Sequence, residues 1–163
     1  MKAMNESSPA SINKKVVVLI SCVSKKLNTD NGSVAAKDLY QSPLFKKSLE
    51  YATKVLRIPD TDIFILSAEH YLLPLNQRVV KYDKTLNKFT AAQRKAWADK
   101  VWGQLSNRFD DNTPYIILAG KNYYKYLIGI DRIKDFELPL GNRSIGQRLS
   151  ILNSAISNNI IIK

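Results

Sequence analysis

The stretch VVVLISCVSKK, residues 16–26, decides the fold of this chain. It opens with five consecutive β-branched or aliphatic residues, which is typical of a strand buried on both faces of a sheet. Runs of the same character occur near residues 62–67 and 114–119. Amphipathic segments separate the three runs, so the sequence predicts a mainly parallel sheet between helices, a three-layer α/β/α fold.

Polar caps mark where the helices of this α/β fold begin. Ser42 and Pro43 suit the N-cap and first position of one helix, while Thr90 and Ser144 suit the N-caps of two others. A further helix is predicted over residues 121–130, and a short fourth strand over residues 136–138. Residues 1–13 are polar and indicate a flexible tail, which leaves residues 14–163 as a single α/β domain.

The 163-residue chain has a net charge of +11 at pH 7, from 25 Lys and Arg against 14 Asp and Glu. Such a surplus creates a positive field that attracts polyanions, and nucleic acid is the commonest of these. A basic surface kept for solubility is the alternative interpretation.

The single cysteine and single histidine exclude an internal disulfide framework and a Cys/His zinc cluster. No run of residues has the apolar length of a signal peptide or of a membrane span. We therefore expect a cytoplasmic protein without a membrane partner.

Small, polar, cationic and aromatic residues follow all three predicted strands. Ligands bind outside the carboxyl ends of the strands in parallel sheets, so the sequence predicts a binding site at that edge. The candidates are Ser21, Cys22, Lys25 and Lys26 after the first strand, Ser67 and His70 after the second, and Lys121, Tyr123 and Tyr124 after the third.

Each of these candidates also has a structural interpretation. Cys22, beside lysines, could be a reactive thiolate, although a small buried hydrophobic residue is the favoured reading. His70 suits acid/base chemistry or donation to a developing anion, or it could be satisfied by neighbouring backbone. The tyrosines after the third strand alternate with lysines, a pairing used for flipped bases, but on a helix two of them could belong to the core.

Two loop carboxylates, Asp38 and Asp83, each lie near a tyrosine. Each could activate water or stabilise a cationic transition state, and each could instead cap a turn or pair with a lysine. The segment from Glu69 to Leu86 is predicted to be a long polar loop. We expect it to bring Asp83 back over the strand edge, so that Asp83 faces His70 across one pocket.

Taken in order, these motifs resemble those of one known family. They are Ser21-Cys22…Lys25-Lys26, Lys37-Asp38-Leu39-Tyr40…Ser42-Pro43-Leu44-Phe45, Leu66-Ser67-Ala68…His70, Tyr82-Asp83…Leu86, Leu118-Ala119-Gly120…Tyr123 and Ile145-Gly146-Gln147. Over residues 16–156 the chain resembles a bacterial and phage domain family related to the peroxide-stress protein YaaA. It departs where that family usually has Gly before the paired lysines, here Val23-Ser24, and His-Gly, here His70-Tyr71.

The resemblance implies a fold similar to that of uracil-DNA glycosylases and a role on DNA or its bases. We therefore expect a DNA N-glycosylase-like enzyme that acts on a modified or unusual base, in phage defence or base-modification control, without a metal or organic cofactor. The alternatives are a non-catalytic nucleic-acid-binding module and a nucleoside or nucleotide N-glycosidase.

Each candidate residue has an expected role in this enzyme. Asp83 faces the sugar, with Asp38 in reserve, and His70 faces the departing base. The remaining candidates bind DNA or the base: Lys25, Lys26 and Lys121 at phosphates, Tyr82 or Tyr124 stacked on the flipped base, and Ser21, Cys22, Ser67, Tyr123 and Gln147 around them.

Overall fold

The structure, a computed structural model, describes residues 15–22, 25–129 and 131–163, so the predicted tail at residues 1–13 lies outside it. In chain order the strands are β1 (Val17–Ser21), β2 (Val34–Ala35), β3 (Ile63–Ser67), β4 (Tyr71–Pro74), β5 (Arg78–Val79), β6 (Tyr115–Leu118) and β7 (Phe136–Glu137). The α-helices are α1 (Ala36–Leu39), α2 (Pro43–Glu50), α3 (Ala91–Arg108), α4 (Lys121–Tyr124) and α5 (Ile145–Asn158).

A mostly parallel sheet of five strands, in the order β4-β3-β1-β6-β7, forms the centre of the fold. β1 pairs in parallel with β3 and β6, and β6 pairs in parallel with β7. The side chains of β1 from Val17 to Ile20 and all those of β3 are buried, as the continuous apolar runs predicted. The prediction of three parallel strands is confirmed, and so is the short strand at residues 136–137.

The predicted helix starts are confirmed by their cap geometry. The Ser42 side chain accepts a hydrogen bond from the backbone N–H of Phe45, with Pro43 at the first helical position. Thr90 and Ser144 each form a capping box with the glutamine three residues later. Helix α2 packs against α5 and β1, and α3 packs against β4, so the helices bury their apolar sides on the sheet and on each other.

The helix predicted over residues 121–130 is shorter than expected, because α4 ends at Tyr124. The chain turns after it, and the carbonyl of Leu127 accepts a hydrogen bond from the N–H of Ile133. Gly129 in this turn has φ 149°, a conformation that would end a helix.

The prediction of a long polar loop after β3 is wrong for the first half of that segment. Residues 68–70 form a tight turn, and the chain returns as β4, antiparallel to β3. Burial explains this strand, because Leu72 and Leu73 enter the core opposite Leu66 and Ile65. Further along, β5 pairs with β2 in a separate two-stranded ladder. Asp38, expected in a loop, lies in α1.

Candidate functional site

The three central strands end together at one edge of the sheet. In the pairing register Ser21 lies opposite Leu66, and Ile20 lies opposite Leu118, so β1, β3 and β6 terminate within a residue or so of one another. This edge therefore receives Cys22, the turn that carries His70, and the segment that leads into α4. Because the carboxyl ends of β1, β3 and β6 meet here, it is the carboxyl edge of the sheet.

Ser67, the last residue of β3, fixes the turn that carries His70. Its side chain is fully buried, and its Oγ accepts hydrogen bonds from the N–H of His70 at 2.9 Å and of Glu69 at 3.2 Å. Because these two bonds use both lone pairs of the hydroxyl, its proton is donated to the Tyr82 hydroxyl, 2.9 Å away. The Ser67 carbonyl accepts from the indole N–H of Trp97 at 2.8 Å, which ties the turn to α3.

Tyr82 brings the chain after β5 back to the carboxyl edge. Its hydroxyl lies 2.6 Å from that of Tyr40 and 2.9 Å from the Ser67 Oγ, and its ring meets the half-buried His70 ring edge-on at 5.4 Å. The Lys26 ammonium lies 4.3 Å from the centre of the Tyr82 ring, within the range of a cation–π interaction. The segment around Tyr82 therefore returns to the strand edge beside the turn that carries His70. That Asp83 faces His70 across one pocket stays a prediction.

Lys26 and Asp83 both contribute charge to this edge. Burial lowers the pKa of the Lys26 ammonium, while Cys22 and the exposed Asp83 carboxylate act electrostatically in the opposite direction. Burial is also the main cause that raises the pKa of both the Tyr82 and the Tyr40 phenol far above the ordinary value. Tyr40, Tyr82 and Ser67 are therefore a neutral hydrogen-bonded chain beside the Lys26 cation.

Cys22 and Tyr123 form a second contact at the same edge. Both side chains are buried, and the Cys22 Sγ lies 3.3 Å from the Tyr123 hydroxyl. The Tyr123 ring packs edge-on against Trp97 at 5.8 Å, and burial is the largest cause that raises its pKa. This environment matches the structural interpretation of Cys22, a small buried residue, and gives Tyr123 a packing role.

The remaining candidate side chains differ in their exposure to solvent. Lys25 is exposed beside the edge, and the exposed Lys121 is the first residue of α4. Tyr124 is buried, so its ring has little surface left for a base. The Gln147 side chain accepts from the N–H of Ser144 in the capping box of α5, so its carbonyl is occupied within the protein.

Asp38 and Tyr40 line the same surface groove. Asp38 is exposed on α1 and lines an open groove of about 580 Å³, whose walls also include Tyr40, Lys46 and Lys54. Because Tyr40 also bonds to Tyr82, the groove adjoins the carboxyl edge where Tyr82 lies.

Sequence reasoning missed two residues at the carboxyl edge, Trp97 and Arg148. Nothing in the local sequence connects Trp97 with Ser67, thirty positions earlier. Arg148 did leave a signal, because it lies at helical spacing from the apolar residues Ile145 and Leu152 of α5, where an amphipathic helix would place another apolar residue.

The class that the fold and the site define is a mixed α/β protein with a polar, cationic site at the carboxyl edge of a mostly parallel sheet. Residues 17–154 match DUF6884, a family of unknown function, and the chain belongs to that family. No curated protein matches the chain. The resemblance to YaaA-related proteins therefore stays a prediction.

Within residues 15–22, 25–129 and 131–163, no helix has both the length and the apolar character needed to cross a membrane. In the same part of the chain, no three or more His, Cys, Asp or Glu side chains come together as metal ligands would.

Proposed function

We propose that this protein is a DNA N-glycosylase-like enzyme that excises a modified or unusual base. The observation that carries the proposal is the position of Tyr82. Its hydrogen bond to Ser67 and its contact with the His70 ring bring the Asp83 segment to the turn that presents His70. A carboxylate and an imidazole thus share one polar edge with the Lys26 cation.

Cleavage of an N-glycosidic bond needs groups of this kind on its two sides. Positive charge develops on the sugar and negative charge on the departing base. Asp83 is exposed and is assigned to the sugar and the attacking water, while His70 is assigned as the donor to the base. Neither assignment requires a metal ion or an organic cofactor.

The positive charges are assigned to the DNA backbone, as part of the same proposal. Lys25 and Lys121 are exposed, and Lys26 lies over Tyr82. Of the two tyrosines expected to stack on a flipped base, Tyr82 is the half-buried one and is assigned that role. A three-layer fold like that of uracil-DNA glycosylases, a cytoplasmic location, and a role in phage defence or base-modification control complete the proposal.

The test is base release from a panel of modified and unmodified DNAs, read by alkali cleavage and by mass analysis of the released bases. We expect Asp83→Asn to abolish release while DNA binding survives, because the substitution removes stabilisation of the transition state rather than ground-state contacts. His70→Ala should lower the rate less completely. The N–H groups of Glu69 and His70 are already bonded to Ser67, but water can donate to the departing base in place of the imidazole.

Asp111→Asn is the matched control, because Asp111 is an exposed loop carboxylate on the chain that leads into β6, at the other edge of the sheet. It should release base at the rate of the unmodified protein. Near-normal release by Asp83→Asn would contradict the assignment. Loss of release in Asp38→Asn instead would move the sugar-facing role to Asp38 and its groove.

A non-catalytic nucleic-acid-binding module is the second candidate. It is favoured by the bonds within the site, since Tyr40, Tyr82 and Ser67 use their hydroxyls on one another. DNA binding that weakens steeply with salt, with no base released from any member of the panel, would establish this alternative. A nucleoside or nucleotide N-glycosidase would instead release base from the small molecule with little dependence on salt.

A further inference from the structure

The strand order reverses between β1 and β6. From β1 the chain proceeds to β3 on one side of it, and from β6 it proceeds to β7 on the other side. The connections after these two adjacent parallel strands therefore leave in opposite directions and open a crevice at their carboxyl ends. In open α/β sheets this topological switch point is where ligands bind.

A small cavity lies in this crevice. Its walls come from the ends of both strands, Ser21 of β1 and Ala119 and Gly120 after β6, together with Leu140 and Arg148. The enclosed space is about 10 Å³, room for a single water-sized atom. The cavity is separate from the hydrogen-bonded chain of Tyr40, Tyr82 and Ser67, because none of these three residues lines it.

Arg148, in the first turn of α5, brings a guanidinium group to the cavity. Its Nε is buried and has no hydrogen-bond partner among the residues that the structure describes. A guanidinium carries only N–H donors, so it needs acceptors around it. Buried polar groups are almost always bonded, and the unbonded Nε therefore points to an acceptor from outside the chain, either a water or an anion.

Gly120 keeps the space in front of this guanidinium open. Its φ of −75° and ψ of 161° suit any residue, so the backbone does not require glycine here. A Cβ built at Gly120 would meet only the Nη1 of Arg148, at 4.0 Å. The missing side chain thus leaves room beside the guanidinium rather than serving a turn.

We propose that Arg148 binds a phosphate group at the crevice between β1 and β6. The planar guanidinium can donate to two oxygens of one phosphate. One of these oxygens would occupy the cavity, and the rest of the phosphate group would lie at the mouth of the cavity. The hydroxyl of Ser21, which also lines the cavity, can donate a second hydrogen bond. Lys121, adjacent to Gly120 in the chain, adds the charge that favours phosphate over a carboxylate.

The test compares the full-length protein with Arg148→Met in increasing inorganic phosphate at constant ionic strength. Phosphate should raise the melting temperature of the unmodified protein, because a ligand that binds only the folded state stabilises it, and it should leave that of Arg148→Met unchanged. Without phosphate, Arg148→Met should melt at the same temperature or higher, since it removes an unpaired buried donor. A purely structural arginine would predict a lower melting temperature.

Arg108→Met is the matched control. It removes the same charge at the opposite edge of the sheet, where the Arg108 guanidinium lies 5.3 Å from the Phe64 ring at the start of β3. Its response to phosphate should equal that of the unmodified protein. Gly120→Val retains Arg148 but fills the space before it, so this variant too should lose the response, and it provides the test if Arg148→Met does not fold.

Two further ligands identify the source of the phosphate. Weaker oligonucleotide binding by Arg148→Met, with a salt slope lower by about one, would assign the site to a DNA phosphodiester. If Arg148→Met instead loses the response to a nucleoside 5′-monophosphate while its oligonucleotide binding is unchanged, the site would be assigned to a free nucleotide. A response of Arg148→Met equal to that of the unmodified protein, or no response of the unmodified protein to any of the three ligands, would overturn the proposal.

The inorganic phosphate measurement contains no DNA and no base-release step. Its failure would leave the proposed glycosylase reaction standing, and absence of base release would leave the phosphate site standing.

Discussion

Tyr71 shows how one residue can be strained by its place beside the candidate site. It follows the turn that carries His70 and begins β4 with φ 62°, in the left-handed region that favours glycine. The YaaA-related family that the chain resembles usually has glycine here. The Tyr71 ring lies under the Lys100 ammonium at 4.5 Å, a contact that glycine could not make.

Comparison of Tyr71→Gly with Tyr71→Ala isolates the cost of this conformation, because both variants lose the ring. We expect the glycine variant to be more stable than the alanine variant by about 1 kcal/mol in urea unfolding. The same pair at Lys95, exposed within α3, should show the opposite order, since alanine is the better helix former. Equal stabilities at Tyr71 would mean that the turn relaxes to another conformation.

The sequence identified several residues of the site but not their partners. Ser67 and His70 could be predicted from their place after a buried strand. The hydrogen bonds of Ser67 to Tyr82 and Trp97 could not, because they join positions fifteen and thirty residues apart. Side-chain partners of this kind depend on how elements pack, which local patterns do not encode.

At the scale of elements, caps were the most informative signal. Thr90 and Ser144 predicted the starts of α3 and α5, since an N-cap is a local interaction of side chain with backbone. The end of α4 and the strand β4 were missed. The turn after α4 contains Gly129, a local signal that the helical pattern outweighed, whereas β4 depends on the tertiary burial of Leu72 and Leu73.

Gln147 was expected to contact the substrate, and its role in the cap of α5 leads to a different expectation. Gln147→Ala should lower the free energy of unfolding by about 0.5–1 kcal/mol and leave DNA binding unchanged, because its carbonyl bonds only to Ser144 in the described structure. Gln93→Ala, which removes the equivalent group from α3, is the matched control for stability. A selective loss of DNA binding in Gln147→Ala would restore the substrate role.

At the scale of the whole molecule, the net charge of +11 indicates a polyanionic partner only if the positive side chains are concentrated on one part of the surface. The sequence could predict the total charge and the sheet that orders the strand ends. It could not predict that Lys26 would lie over Tyr82 while Lys25 and Lys121 stay exposed. Those positions follow from the complete fold.

The salt dependence of DNA binding tests whether the charge is focused. Lys25→Ala, Lys26→Ala and Lys121→Ala should each lower the slope of log affinity against log salt by about one. Lys15→Ala is the control, because Lys15 precedes β1 at the opposite edge and pairs with Asp62 at 3.5 Å. An equal fall in slope for Lys15→Ala would show a diffuse field rather than a phosphate-binding edge.

The central position of β1 has a consequence for the order in which the protein is made. β1 leaves the ribosome before the other four described strands of the five-stranded sheet, and its partner on one side, β6, emerges only after α3. One flank of β1 must therefore stay unpaired or shielded during most of synthesis, a state in which exposed strand edges invite wrong pairing. The crevice holding Arg148 is completed later still, so a nascent chain acquires its anion site only as α5 folds.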